Sequence, residues 1–213
     1  MYGVTFGDYH SYDDLDLILA SKEIGAPEPK TETIDIPGGD GELDFTKFSG
    51  TVRYKNRQLI FKFFYIGARS TFADKFSEVQ NAIHGKKLKI TLDDDPNHYY
   101  FGRCTVDRWK VDKSIGKITV EANCQPYKYK NSVTTVSQSI TSSGTISLTN
   151  LKKSVVPTIS TTAAVTIAWT GGSASLSAGN DQIIEDLVLR EGTTGITVTG
   201  TATVTFKYQE GEL

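Results

Sequence analysis

The chain has 213 residues, enough for one large domain or two small ones around a real core, and its 38% hydrophobic and 23% charged content is that of an ordinary soluble protein. A formal net charge of -2 gives no electrostatic case for binding nucleic acid or an anionic membrane. Two cysteines, Cys104 and Cys124, are too few for a disulfide scaffold or a zinc site of four thiolates, and nothing points to secretion.

The opening stretch carries Asp8, Asp13, Asp14 and Asp16, lacks a basic start and contains no unbroken apolar run. Neither a signal peptide nor a membrane span is expected, and the chain is expected to be made and kept in a cytosol. "FGDYHSYDD" (Phe6–Asp14) places His10 near three aspartates. A catalytic reading needs a base, an orienting group and a pocket, and only the first can be named; Ser11 with Asp14 fits a capping or turn pattern. "IPGGDGELD" (Ile36–Asp44) has the glycines of a flexible loop without the Lys-Ser/Thr of a phosphate loop or a following helix. Its Gly38, Gly39, Asp40 and Gly41 are read as a loop at a subunit contact.

"RQLIFKFFYIG" (Arg57–Gly67) reads as a buried strand rich in aromatics. In "STFADKFSEVQNAIHG" (Ser70–Gly85), Phe72, Phe76, Val79 and Ile83 recur at i, i+4, i+7 and i+11, which predicts an amphipathic helix packed on one side. Thr71 and Asp74 form a capping-box pair, and Gly85 stands where a C-terminal cap is wanted, beside His84, whose partial positive charge suits the helix end. "KKLKITL" (Lys86–Leu92) alternates Leu88, Ile90 and Leu92 against Lys87, Lys89 and Thr91, so one face of that strand is buried.

"LDDDPNHYYFGR" (Leu92–Arg103) packs three carboxylates, a histidine and two tyrosines together, as a metal or catalytic site would. Asp93, Asp94, Asp95 and His98 lack the alternate spacing, Gly hinge and distal Glu of a calcium loop, and zinc would want further His or Cys at turn spacing. Asp95-Pro96-Asn97 is turn chemistry, and no metal is expected. "YYFGRCTV" continues as a strand into a hairpin about "KSIG" (Lys113–Gly116). Pairing Val111 with Ile118 and Trp109 with Val120 keeps one apolar face near the turn. Further out the parity fails unless Asp107 and Arg108 together oppose Glu121 in a β-bulge. Cys104 then lies opposite Cys124, as two reduced, buried thiols.

Near residue 130 the composition changes. Met1–Lys130 hold 19 basic and 19 acidic residues, and Asn131–Leu213 only 4 and 6, with 17 Thr and 11 Ser among 83 positions. We read two domains, 1–130 and 131–213, joined near "QPYKYKNS" (Gln125–Ser132), where Pro126 interrupts a strand pattern. In the second, "TISLTN", "AVTIAW", "DQIIEDLVLR" and "GITVTGTATVTFKYQ" alternate between the glycines of "TGGS", "SAGN" and "EGTTG", which predicts an antiparallel β-sandwich.

Val4–Thr46, "HGKKLKITLDDDPNHYYFGRCTVDRW" (His84–Trp109) and "EANCQPYKYK" (Glu121–Lys130), in that order, resemble the N-terminal domain of the distal tail protein of long-tailed (siphovirus-type) phages and prophages. The resemblance implies a mainly β chain: an N-terminal β-barrel-like α+β domain with one helix, then a galectin-like antiparallel β-sandwich. It implies a structural protein of the virion tail tip, made in the bacterial host cytoplasm, and not an enzyme. Copies would form a hexameric ring joining the tail tube protein to a tail-associated lysin or other tail-tip and baseplate proteins. No cofactor, specific nucleic acid or membrane insertion is implied. The alternative is a carbohydrate-binding module on the tail tip contributing to host adsorption. Galectin sugar sites rely on a His, an Asn and Arg residues beside a stacking Trp, whereas Asn131–Leu213 contains no His, a single Arg (Arg190) and a single Trp (Trp169). That chemistry is not carried over, and Trp169 is read as a core or strand-end aromatic.

Overall fold

The computed structural model describes residues 2–48, 50–112 and 115–213. They form two compact units, the first ending at Lys128 and the second spanning Tyr129–Glu212. The fold is mainly β, with one α-helix among the described residues.

The first unit contains β1 (Val4–Phe6), β2 (Tyr9–His10), β3 (Ile18–Ile24), β4 (Thr33–Asp35), β5 (Glu42–Asp44), β6 (Arg57–Ile66), a 3-10 turn (Arg69–Thr71), α1 (Phe72–Ile83), β7 (Lys87–Leu92), β8 (Asp95–Asp112) and β9 (Ile115–Cys124). The main sheet runs β2-β1-β7-β8-β9-β6-β3, while β4 and β5 pair only with each other. Strand β6 is half-buried rather than fully buried: Arg57, Leu59, Phe61 and Phe63 face inward, and Gln58, Lys62 and Phe64 face outward. The inward rings of Phe61 and Phe63 meet Phe6 edge-on at 5.5 and 6.2 Å. Each fully buried Phe contributes roughly 1.5–3 kcal/mol of transfer free energy.

Helix α1 buries Phe72, Val79, Ala82 and Ile83 as its spacing requires, and Phe76 meets Trp109 at 4.7 Å. The expected capping box is absent. Thr71 closes the 3-10 turn at φ -93°, ψ -4°, and its hydroxyl donates backward to the Ala68 carbonyl at 2.8 Å. A side-chain cap needs extended backbone at that residue, which the turn denies it. At the other end the His84 N–H reaches the Gln80 carbonyl and the Gly85 N–H the Cys104 carbonyl, both at 2.8 Å, tying the helix end to β8.

Two hairpins differ from the sequence expectation. Between β7 and β8 the turn is Asp93-Asp94, with Leu92 opposite Asp95, whereas Asp95-Pro96-Asn97 lie inside β8. Ile90 faces Tyr100, so Thr91 alone on β7 stands against Pro96 to Tyr99 on β8. A wide bulge tolerates Pro96, which has no N–H to give the ladder. Between β8 and β9, Asp112 faces Ile115; Lys113 and Ser114 of the expected "KSIG" turn lie outside the described residues. The bulge falls between Val106 and Arg108 as anticipated, but the ladder is shifted by two residues, pairing Trp109 with Ile118, Cys104 with Ala122 and Gly102 with Cys124. The cysteines therefore share the buried face as diagonal neighbours and are not opposed. Gly102 explains the choice, because a Cβ there would stand 2.6 Å from Cys124 Sγ and 2.5 Å from the Asn123 carbonyl oxygen.

After β10 (Lys128–Lys130), the second unit contains β11 (Thr134–Ile140), β12 (Ser143–Asn150), β13 (Thr158–Thr161), β14 (Val165–Trp169), β15 (Gly172–Leu176), β16 (Gly179–Ile183), β17 (Gly192–Thr199), β18 (Ala202–Tyr208) and β19 (Gly211–Glu212). Two four-stranded antiparallel sheets, β11-β18-β13-β16 and β12-β17-β14-β15, make the sandwich. Ile146, Leu148, Ile159, Ile167, Ile196, Val198, Val204 and Phe206 fill the core between them. "DQIIEDLVLR" is only half a strand: β16 ends at Ile183, and Leu187 and Leu189, both 0% exposed, seal the core from a loop that bridges to Val155. The unit's ends are clasped together. The buried Glu210 carboxylate accepts from Lys130 Nζ at 2.7 Å and from the Thr134 hydroxyl, and Gln209 donates to the Lys130 carbonyl.

Candidate functional site

The acidic stretch that looks like a site in the sequence is distributed over three separate clamps. Asp93 Oδ2 accepts from the Gly3 N–H at 2.7 Å and lies 3.3 Å from His10 Nε2. On its other side His10 Nδ1 lies 3.2 Å from the Asp13 backbone nitrogen and 2.8 Å from the Asp13 carboxylate. Asp94 pairs with Lys22. Asp95 accepts from His98 Nδ1 at 2.6 Å and Lys128 Nζ at 2.9 Å. Burial works to raise the Asp95 carboxyl, but the hydrogen bonds and charges of His98 and Lys128 outweigh it and hold the group below the usual carboxylate value. These carboxylates fasten β1, β3 and the end of the first unit to the β7–β8 turn, and they do not converge on one point. Among the described residues no group of three His, Cys, Asp or Glu is placed to hold a metal. His84 accepts the Val106 N–H on Nδ1 at 3.0 Å.

Cys104 and Cys124 are free, 0% exposed, and pushed up to about 12 by burial, far from the thiolate that nucleophilic or redox chemistry requires. In the native protein at pH 8 both thiols are expected to resist a water-soluble disulfide reagent and to react fully after denaturation. Reaction of either one without unfolding would contradict this burial. In the second unit, Trp169 packs against the sandwich core and lies so close over Gly172 that a Cβ there would stand 2.8 Å from the indole.

Two surface features of the first unit remain. The first is the β4–β5 hairpin, whose tip carries Gly38, Gly39, Asp40 and Gly41; Gly38 and Gly41 take φ +76° and +84°, where a side chain is strained. Its base is fastened by backbone bonds between Lys30 and Arg53 and between Lys55 and Glu28. Ile34 and Leu43 face each other across the hairpin at 55% and 51% exposure, and Phe48 beyond it is 86% exposed. An isolated two-stranded hairpin is marginal in water, and this one leaves its apolar side chains uncovered.

The second is a polar cleft of ≈ 790 Å³ on the outward side of the main sheet. Gln58, Asn123, Arg103 and Lys87 form one row across β6, β9, β8 and β7, each opposite the next. Lys55 completes the cationic lining and pairs with Glu28 at 3.1 Å, while Glu121 accepts from Gln58 Nε2 at 2.9 Å. Sequence reading missed this cleft because its residues come from four strands; the polar alternation of each strand was its only trace.

No family model matches the chain, and no curated protein matches it. Among solved structures it is similar to the Dit (gp 19.1) protein of SPP1, described as a paradigm of the hub adsorption apparatus in phages that infect Gram-positive bacteria. The two share 18% identity with a TM-score of 0.72 over 100% of each chain. The likeness is one of fold. It spans both units of the chain, and the expected mainly β architecture with one helix agrees with it. No helix is long and apolar enough to cross a membrane among the described residues.

Proposed function

We propose that this protein is the structural hub of a phage or prophage tail tip, in which copies form a closed hexameric ring joining the tail tube to tail-tip or baseplate proteins. The observation that carries this reading is the whole-length likeness of fold to a phage tail hub protein. The 1–130 domain forms the ring, and the 131–213 sandwich stands at its periphery. A closed ring of identical chains has heterologous interfaces, which need two different patches on each copy. The hairpin tip at Gly38, Gly39, Asp40 and Gly41 provides one of them. The uncovered Ile34, Leu43 and Phe48 support this, since burying such side chains against a neighbour is favourable by about 25 cal/mol per Å².

Particle mass with negative-stain imaging of the full chain, alone and mixed with the adjoining tail proteins, tests the reading. A ring with six times the mass of one chain is expected. A particle that keeps the mass of one chain under conditions where the neighbouring tail proteins assemble would sink it.

A further inference from the structure

The basic cleft and the uncovered hairpin are complementary in charge. Between Lys30 and Lys47 the chain carries Glu32, Asp35, Asp40, Glu42 and Asp44 and no basic residue, and all five are exposed. The cleft presents Lys55, Lys87 and Arg103 beside the carboxylate of Glu121, and of these cations Lys55 is already paired with Glu28 at 3.1 Å. Among the described residues, no carboxylate is in an ion pair with Lys87 or Arg103, and none of the five hairpin acids is in an ion pair, although the charge of Lys47 acts on Asp44. Lys87 and Arg103 stand next to each other on neighbouring strands of that outward face, and an arriving carboxylate is attracted to both.

We infer that the acidic β4–β5 hairpin of one copy docks in the basic cleft of the next, making the head-to-tail contact of the assembly. This rests on the ring reading above and adds the receiving surface to it. The hairpin base is fastened beside Lys55 at the cleft's rim, yet none of the hairpin carboxylates turns back to its own cleft. The two surfaces are different patches on one chain, as a heterologous contact demands. Opposed charges would set the register of docking, and Ile34 and Leu43 would supply apolar burial.

A charge swap tests it on the full-length protein. One chain carries Asp40→Lys and Glu42→Lys in the hairpin; the other carries Lys87→Glu and Arg103→Glu in the cleft. Each alone is expected to lose self-association by at least about tenfold, because like charges now face each other. Mixed in equal amounts, the two are expected to regain it, since both kinds of contact then have opposite charges. Arg103 also donates to the Gly85 carbonyl, so the single variant Lys87→Glu serves as the cleft partner if the double variant loses its native circular dichroism. If the wild type assembles and the variants assemble equally well, or if mixing restores nothing, the docking inference is overturned while the ring stands. If the wild type never assembles, both fall.

Discussion

Gly102→Ala is expected to cost about 3 kcal/mol, the upper part of the overpacking range, because the new methyl meets main chain rather than a movable side-chain end. Its Cβ would stand 2.5 Å from the Asn123 carbonyl oxygen and 2.6 Å from both the Cα and Sγ of Cys124. Relief would require β8 and β9 to separate where they carry the buried Cys104, Ala122 and Cys124. The smaller backbone entropy of alanine offsets less than about 1 kcal/mol of this. Gly195→Ala in β17 is the matched control, since its nearest neighbour would be the Thr145 methyl at an ordinary 3.6 Å. Denaturant unfolding should separate the two variants widely. A Gly102→Ala protein within about 0.5 kcal/mol of wild type would refute the register of β8 on β9, since overpacking of this kind costs more than that.

Glu210→Gln is expected to destabilise the second unit by about 2 kcal/mol at pH 7, less than the full cost of breaking a buried ion pair because Lys130 is 35% exposed and turns to water when abandoned. Burial works to raise the Glu210 carboxyl, but hydrogen bonds from Lys130 and Thr134, the charge of Lys130 and the Leu151 N–H outweigh it and hold the group below 4.5. A group depressed on folding contributes stability that is present above its unfolded value and is lost as pH falls through its folded value. The gap between wild type and Glu210→Gln should therefore be full at pH 7, narrow once the pH drops below about 4.5, and close when the folded carboxyl protonates. A gap that stays constant down to pH 3 would mean that the Lys130 and Thr134 contacts contribute nothing through charge.

Much of the fold was legible where one face of an element is buried. The alternation of Leu88, Ile90 and Leu92 in β7 and the spacing of Phe72, Val79 and Ile83 in α1 report burial directly. The β8–β9 ladder was legible to its face and bulge but not to its register. A slip of two residues leaves every side chain on the same face, so hydrophobic pattern is blind to it, and only the empty space at Gly102 discriminates. Asp95-Pro96-Asn97 has turn propensity, but the local bond of Asp95 to His98 and its tertiary bond to Lys128 hold it within a bulged strand. Leu187 and Leu189 looked like strand residues because burial from a loop leaves the same apolar signature. The candidate site divided in the same way. The glycines at 38 to 41 announced a surface turn, whereas the row from Gln58 to Lys87 exists only after four strands have been placed side by side.

Strand β11 pairs only with β18 within its sheet, and Thr134 faces Tyr208 from the opposite end of the second unit's sequence. During synthesis, β11 therefore waits without its hydrogen-bonding neighbour until β18 has been made. Such non-local closure is slow, and an unpaired strand is a template for joining another chain. The sequence of β11, TTVSQSI, meets that danger with hydroxyls and an amide: only Ile140 is buried, and Ser137 and Ser139 later meet Thr205 and Thr203 at 2.8 Å. The last-closed edge of the sandwich is thus one of its least adhesive segments, and the threonine and serine that dilute its core signal in the sequence keep the nascent chain solitary until it can close on itself.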